Sequence, residues 1–125
     1  MCKASSYIAE IESIVARMSK DQERLSKAQS KYDSMISELY HKIECMNFNA
    51  CEGFYLSKQL QELLRKRRVV KDEISRLNTL NQTLGYKNMA KSIDKSKACI
   101  SKAKNKSAEW QHDWKYTYSL EEVLH

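Results

Sequence analysis

Apolar residues recur at alternating steps of three and four along the first third of the chain, and the phase never changes. All but two of the positions in this series are apolar: Ile8, Ile11, Val15, Met18, Gln22, Leu25, Gln29, Tyr32, Ile36, Leu39, Ile43 and Met46. A repeat of 3.5 residues held over about six heptads is typical of a coiled-coil helix. We assign this first helix to residues 5–47, and a rise of about 1.5 Å per residue makes it a rod of roughly 65 Å.

A break in the pattern lies at residues 47–53, where asparagines and a glycine tolerate turn conformations. A second series with the same spacing follows: Leu56, Leu60, Leu63, Arg67, Val70, Ile74, Leu77, Asn81 and Leu84. It predicts a second helix over residues 54–84, which Gly85 would end as a C-cap. Because the connection is short, we expect an elongated antiparallel hairpin.

The register of this hairpin follows from folding the chain about the turn. Leu39 then lies opposite Leu63, and Gln22 lies opposite Asn81. Two amide side chains at the same level can satisfy each other and fix the register of a helix pair.

The rest of the chain is lysine-rich at first and then aromatic and acidic. Residues 88–110 predict a third helix, weakly amphipathic and held loosely. In the tail, residues 111–125, Ser119 and Glu122 match a capping box that would begin a last short helix. The chain has no proline and two glycines, too few turn residues for a sheet protein. We therefore predict an all-α fold and one helical domain over residues 1–125.

The first seam extends beyond the predicted end of the hairpin, because the second helix would stop level with Met18. The residues before that level could pack on the third segment, on a second copy or on another protein. In the tail, aromatic residues recur at i, i+4 and i+8, and they could pack locally or anchor a partner. These two groups are our candidate partner-binding residues: Ile8, Ile11, Val15, Met18, Trp110, Trp114 and Tyr118.

Positive charge is concentrated in residues 54–108, which carry fourteen Lys or Arg and four Asp or Glu, whereas the whole chain has a net charge of +6. This excess favours contact with nucleic acid or with an acidic protein, although a solvated helix surface would look similar. The candidate residues are Lys58, Arg65, Arg68, Arg76, Lys91, Lys95 and Lys102.

Motifs for catalysis and cofactor binding are not found. There is no phosphate loop, dinucleotide glycine pattern, GxSxG turn or HExxH. His41, Cys45 and Cys51 lie close together in sequence but have no CxxC pair or evident fourth ligand for zinc. We therefore expect no enzyme activity, no cofactor and no metal.

The remaining expectations concern cell compartment and role. No long apolar run or signal-peptide pattern occurs, which favours a cytoplasmic protein with reduced thiols. Our first hypothesis is a non-catalytic protein-interaction module, an adaptor or a small inhibitor of a larger machine, a role frequent among phage- and virus-encoded proteins. We expect a homodimer formed through the first helix. The alternative is a nucleic-acid-binding protein without sequence preference that uses the basic face of the second and third helices.

Overall fold

A computed structural model describes residues 2–110 and 118–124 of the chain. It contains helices α1 (Lys3–Cys45), α2 (Ala50–Leu84), α3 (Tyr86–Trp110) and α4 (Leu120–Leu124). The described residues include no strand, and the predicted all-α class with its helical hairpin and third helix is confirmed. Two compact units are present, one formed by Met1–Ser13 with Lys87–His125 and one by Ile14–Tyr86. The assignment of one domain to the whole chain stays a prediction.

In the unit Ile14–Tyr86, α1 and α2 lie antiparallel and meet along the two predicted seams. Ile36, Leu39 and Leu56 are buried, and most other seam residues are half-buried. A two-helix unit leaves much of each helix in contact with solvent, so its apolar stabilisation comes from this single line of contact.

Two polar contacts fix the hairpin register. Asn81 Nδ2 donates a hydrogen bond of 3.1 Å to Gln22 Oε1, which is the amide pair expected from sequence. Farther along, Arg67 Nε lies 2.6 Å from Asp33 Oδ1. The Arg67 Nε–H is buried and makes no aligned hydrogen bond with a described residue, so this contact is an ion pair rather than a directed hydrogen bond.

The connection between α1 and α2 is shorter than predicted, because α2 begins at Ala50 instead of residue 54. Asn49 is the reason: its side-chain Oδ1 accepts a hydrogen bond of 2.9 Å from the Glu52 N–H and caps the helix. Gly53 therefore lies inside the first turns of α2. A Cβ at Gly53 would lie 3.3 Å from the ring of Phe48, so the glycine leaves room for that ring.

The end of α2 follows the sequence prediction. Gly85 adopts a left-handed conformation (φ 61°), and its N–H donates a hydrogen bond of 2.7 Å to the Asn81 carbonyl oxygen. Glycine adopts this conformation without the strain that a Cβ atom adds, and α3 begins at the next residue, Tyr86.

In the other unit, the first residues of α1 pair with α3, which runs antiparallel to them. Glu12 forms an ion pair with Lys97, and Lys104 Nζ donates a hydrogen bond of 2.9 Å to Ser5 Oγ. Ile93 of α3 is buried. The short helix α4 has the predicted capping box, since Glu122 N–H donates to Ser119 Oγ and Ser119 N–H donates to Glu122 Oε2, both at 3.3 Å.

Candidate interaction surfaces

The seam residues proposed for partner binding differ in exposure. Ile8 is half-buried and lines a cleft of about 260 Å³ together with Ile100 of α3. The structure thus places Ile8 beside the third helix, and its role in partner binding stays a prediction. Ile11 is 39% exposed, whereas Val15 and Met18 are half-buried in the hairpin unit.

The aromatic tail residues are only partly within the described chain. Trp114 and the side chain of Trp110 lie outside the described residues, so their proposed role stays a prediction. Tyr118 precedes α4 and is exposed.

A set of exposed aromatic residues near the hairpin turn was missed by sequence reasoning. Its members are Tyr40 (52% exposed), Phe48 (46%), Phe54 (57%) and Tyr55 (65%), and we call them the aromatic turn. The rings of Phe54 and Tyr55 lie edge to face with centroids 6.1 Å apart, and Lys58 Nζ lies 5.2 Å from the centre of the Phe54 ring. None of the four residues belongs to a seam, and this aromatic content outside the heptad positions was the available sequence signal.

The turn is nearly neutral in charge. Residues 40–58 contain two lysines and two glutamates. They therefore lack the excess of positive charge that the second and third helices carry as a whole. The aromatic turn is therefore an apolar surface in a charge-balanced setting.

The candidate basic residues of α2 fall into two groups. In the first group, Arg76 pairs with Glu73 at 3.2 Å. In the basic run, residues 65–68, Lys66 pairs with Glu62 at 2.8 Å and Arg67 pairs with Asp33. The Lys66–Glu62 hydrogen bond lowers the pKa of the Glu62 carboxyl and raises the pKa of the Lys66 ammonium group. Within residues 2–110 and 118–124, Arg65 and Arg68 have no acidic partner.

The candidate lysines of α3 lie along its solvent side. Lys91, Lys95 and Lys102 are exposed, and their spacings of four and seven place them on one helix face. Within the described part of the chain, none of the three forms an ion pair, whereas Lys97 pairs with Glu12.

The hairpin also has a groove between its two helices. It measures about 400 Å³, and Met35, Leu39 and Leu63 are its apolar lining residues. Its rim carries equal numbers of acidic and basic residues, Glu38, Glu62, Lys42 and Lys66. Charge balance at the rim gives this groove no preference for a charged ligand.

Groups that could support chemistry are scattered. His41 and Cys45 are in contact, with Cys45 Sγ 3.9 Å from His41 Nε2, but among the residues with described positions no three His, Cys, Asp or Glu side chains gather as a metal site requires. All four cysteines are free and exposed.

Cys2 caps the start of α1: the Ser5 N–H donates to its sulfur at 3.4 Å, and the Ser5 hydroxyl oxygen lies 3.2 Å from it. The hydrogen bond with the Ser5 hydroxyl, reinforced by the Ser5 N–H and the Lys104 charge, holds the pKa of Cys2 below its ordinary value.

The described helices lack any stretch that is both long and apolar enough to cross a lipid bilayer.

No family model matches this chain, and no curated protein or solved structure shows a match to it.

Proposed function

We propose that this chain is a non-catalytic protein-interaction module and that the aromatic turn binds a partner protein through an apolar, weakly charged surface of that partner. The observation that carries the proposal is the exposure of four aromatic side chains at one end of the hairpin. Tyrosine and other aromatic residues are enriched in the centres of protein interfaces because they bury a large area at a small entropic cost.

Local contacts fix the backbone of the aromatic turn. Asn49 caps α2, and Phe48 is close enough to Gly53 that a methyl group there would meet its ring at 3.3 Å. Residues held in one geometry lose less conformational freedom when they bind, which favours affinity. This supports binding by the turn itself rather than by a segment that must first fold.

Charge supports a protein partner at this end of the hairpin. A site that stacks nucleic-acid bases places its aromatic residues in a positively charged groove that follows the phosphates. The two lysines of residues 40–58 are balanced by two glutamates. An apolar partner surface is therefore the better match.

The proposed role is that of an adaptor or of a small inhibitor that covers a working surface of its partner. The coiled-coil hairpin would serve as a spacer that presents the turn.

The test is site-specific photo-crosslinking from position 55 in an extract of the native host, followed by identification of the captured protein and titration of that purified protein. We expect the double variant Phe54→Ser/Tyr55→Ser to bind it about 30-fold more weakly, the loss expected for interface residues worth about 2 kcal/mol. The matched control is Val69→Ser, which removes an equally exposed apolar side chain from α2. Equal affinity of the double variant and the wild type would refute the role of the turn.

A second candidate function is binding of nucleic acid without sequence preference, and the lysine face of α3 favours it. Its test is fluorescence anisotropy with a single-stranded oligonucleotide at two salt concentrations. Three phosphate contacts predict that a fourfold rise in salt weakens binding by about 20-fold. Replacement of Lys91, Lys95 and Lys102 by glutamine should abolish this binding, whereas the same replacement of Lys20, Lys27 and Lys31 on α1 should not. Binding that is insensitive to salt would exclude this function.

A further inference from the structure

A second face of α2 combines apolar and basic side chains. An open groove of about 500 Å³ is lined by Leu60, Leu64, Arg65, Arg67, Arg68 and Lys71. Leu60 is a half-buried member of the seam that packs on α1 and reaches the groove at its edge. Leu64 is 38% exposed, and it lies outside the seam that packs on α1.

The positions along this groove repeat at helical spacing. Ser57, Gln61, Leu64, Arg68 and Lys71 follow one another in steps of four, three, four and three, which places them on one side of α2. The fourteen steps from the first to the last of these positions correspond to about 21 Å of helix. A row of this kind can receive the ridge of another helix about four turns long.

Most of the positive charge at the groove is not neutralised within the described chain. Of the four cations at the groove, Arg67 is paired with Asp33, whereas Arg65, Arg68 and Lys71 have no acidic side chain within ion-pair distance there. The local ion pairs thus leave the other three cations of this one face available to a ligand.

We propose that this groove binds an acidic amphipathic helix of a partner protein, with the partner's apolar residues on Leu60 and Leu64 and its carboxylates on Arg65, Arg68 and Lys71. Charge complementarity selects the acidic partner, and arginine is suited to paired hydrogen bonds with carboxylates. The proposal concerns a different surface from the aromatic turn and does not depend on it.

The leucines distinguish this partner from nucleic acid. A phosphate backbone is bound by cations and hydrogen-bond donors and gains little from an aliphatic floor. A helix with leucines on one side can pack on Leu60 and Leu64, while glutamates on its flanks pair with the cations. Other complexes in which a helix lies in a groove combine contacts in the same way.

The experiment uses the full chain and a synthetic helical peptide with leucines at steps of three and four and glutamates beside them. A scrambled peptide of the same composition and a single-stranded oligonucleotide serve as competitors. By fluorescence anisotropy we expect the amphipathic peptide to bind at least about tenfold more tightly than the scrambled one, because only an ordered apolar stripe can cover the leucines.

Two variants test the two parts of the groove separately. Arg65→Glu/Arg68→Glu should weaken peptide binding at least about tenfold, because attraction becomes repulsion at two positions. Leu64→Asn, a change at an exposed position that leaves the charge intact, should weaken it about fivefold. Lys20→Glu/Lys31→Glu on α1 is the control with the same change in net charge and should bind normally.

Equal binding of the scrambled peptide, tighter binding of the oligonucleotide, or a Leu64→Asn variant with unchanged affinity would each overturn the proposal and assign the face to polyanions in general. Phe54→Ser/Tyr55→Ser should bind the peptide normally, so failure here is distinguishable from failure of the aromatic turn.

Discussion

Asn81 donates a hydrogen bond of 3.1 Å from Nδ2 to Oε1 of Gln22, although the two residues lie 59 positions apart in the chain. Gln22 Nε2 lies 3.5 Å from Asn78 Oδ1, at the limit of hydrogen bonding. Asn81 Oδ1 is buried and accepts no hydrogen bond from a described residue. The pair therefore joins α1 to α2 at one level, but the unsatisfied Asn81 Oδ1 lowers the stability that the pair contributes. Polar residues that fix the register of helices commonly have such a cost.

The first prediction concerns the energy of this pair. In a double-mutant cycle with Gln22→Ala and Asn81→Ala, we expect a coupling of about 0.5–1.5 kcal/mol in the free energy of unfolding, since the two amides bond to each other. Urea denaturation followed by circular dichroism provides the measurement. A parallel cycle of Gln22→Ala with Gln82→Ala, an exposed residue of α2, should give no coupling. The register assignment fails if both cycles give the same value.

The Gln22–Asn81 pair could be predicted because both residues interrupt otherwise apolar seams, and the turn length fixes which interruptions meet. The same periodicity placed Ile36, Leu39 and Leu56 correctly at the helix contact. Regular spacing determines which side of a helix is buried, and for this hairpin that was enough to predict the main contacts.

The candidate surfaces were less predictable. Phe48, Phe54 and Tyr55 lie outside the two seams, and this was the one sign of exposure in the sequence. The seams mark the face that is buried between the helices, but they do not tell how much of each remaining side chain is exposed. Which arginines remain without an acidic partner depends on contacts across the hairpin. Asp33 neutralises Arg67 because the fold brings them together, and the spacing of the basic run alone does not reveal this.

The second prediction concerns the start of α2. Asn49→Ala should lower the free energy of unfolding by about 1 kcal/mol, because it removes the acceptor that satisfies the Glu52 N–H at 2.9 Å. Asn47→Ala is the matched control, since Asn47 lies in the same connection but does not cap the helix, and it should change stability by less than about 0.5 kcal/mol. Equal losses in thermal or urea unfolding would contradict the capping role.

The third prediction concerns the proposed homodimer. If α1 mediates self-association, Ile11→Glu should reduce the mass measured by light scattering from that of a dimer to that of a monomer, because a charge would be placed in an apolar contact. Ile11 is exposed in the single chain, so we expect the helix content of the variant to equal that of the wild type. Ala16→Glu places the same charge elsewhere on α1 and should leave the mass unchanged. A monomeric wild-type protein would rule out the homodimer outright.

The fourth prediction concerns the thiol at the start of α1. The pKa of Cys2 is lowered chiefly by its hydrogen bond with the Ser5 hydroxyl, so the thiolate forms at lower pH in the folded chain than in the unfolded chain. Any stability gained from this thiolate is therefore present above the unfolded-state pKa and is lost as the pH falls through the folded-state pKa.

In a variant whose other cysteines are replaced by serine, the pH midpoint of alkylation by iodoacetamide should be lower under native conditions than in urea. Ser5→Ala should move the native midpoint upward, whereas Ser6→Ala should not, because the hydroxyl of Ser5, and not that of Ser6, contacts the sulfur. Coincident midpoints in buffer and in urea would show that the helix start does not stabilise the thiolate.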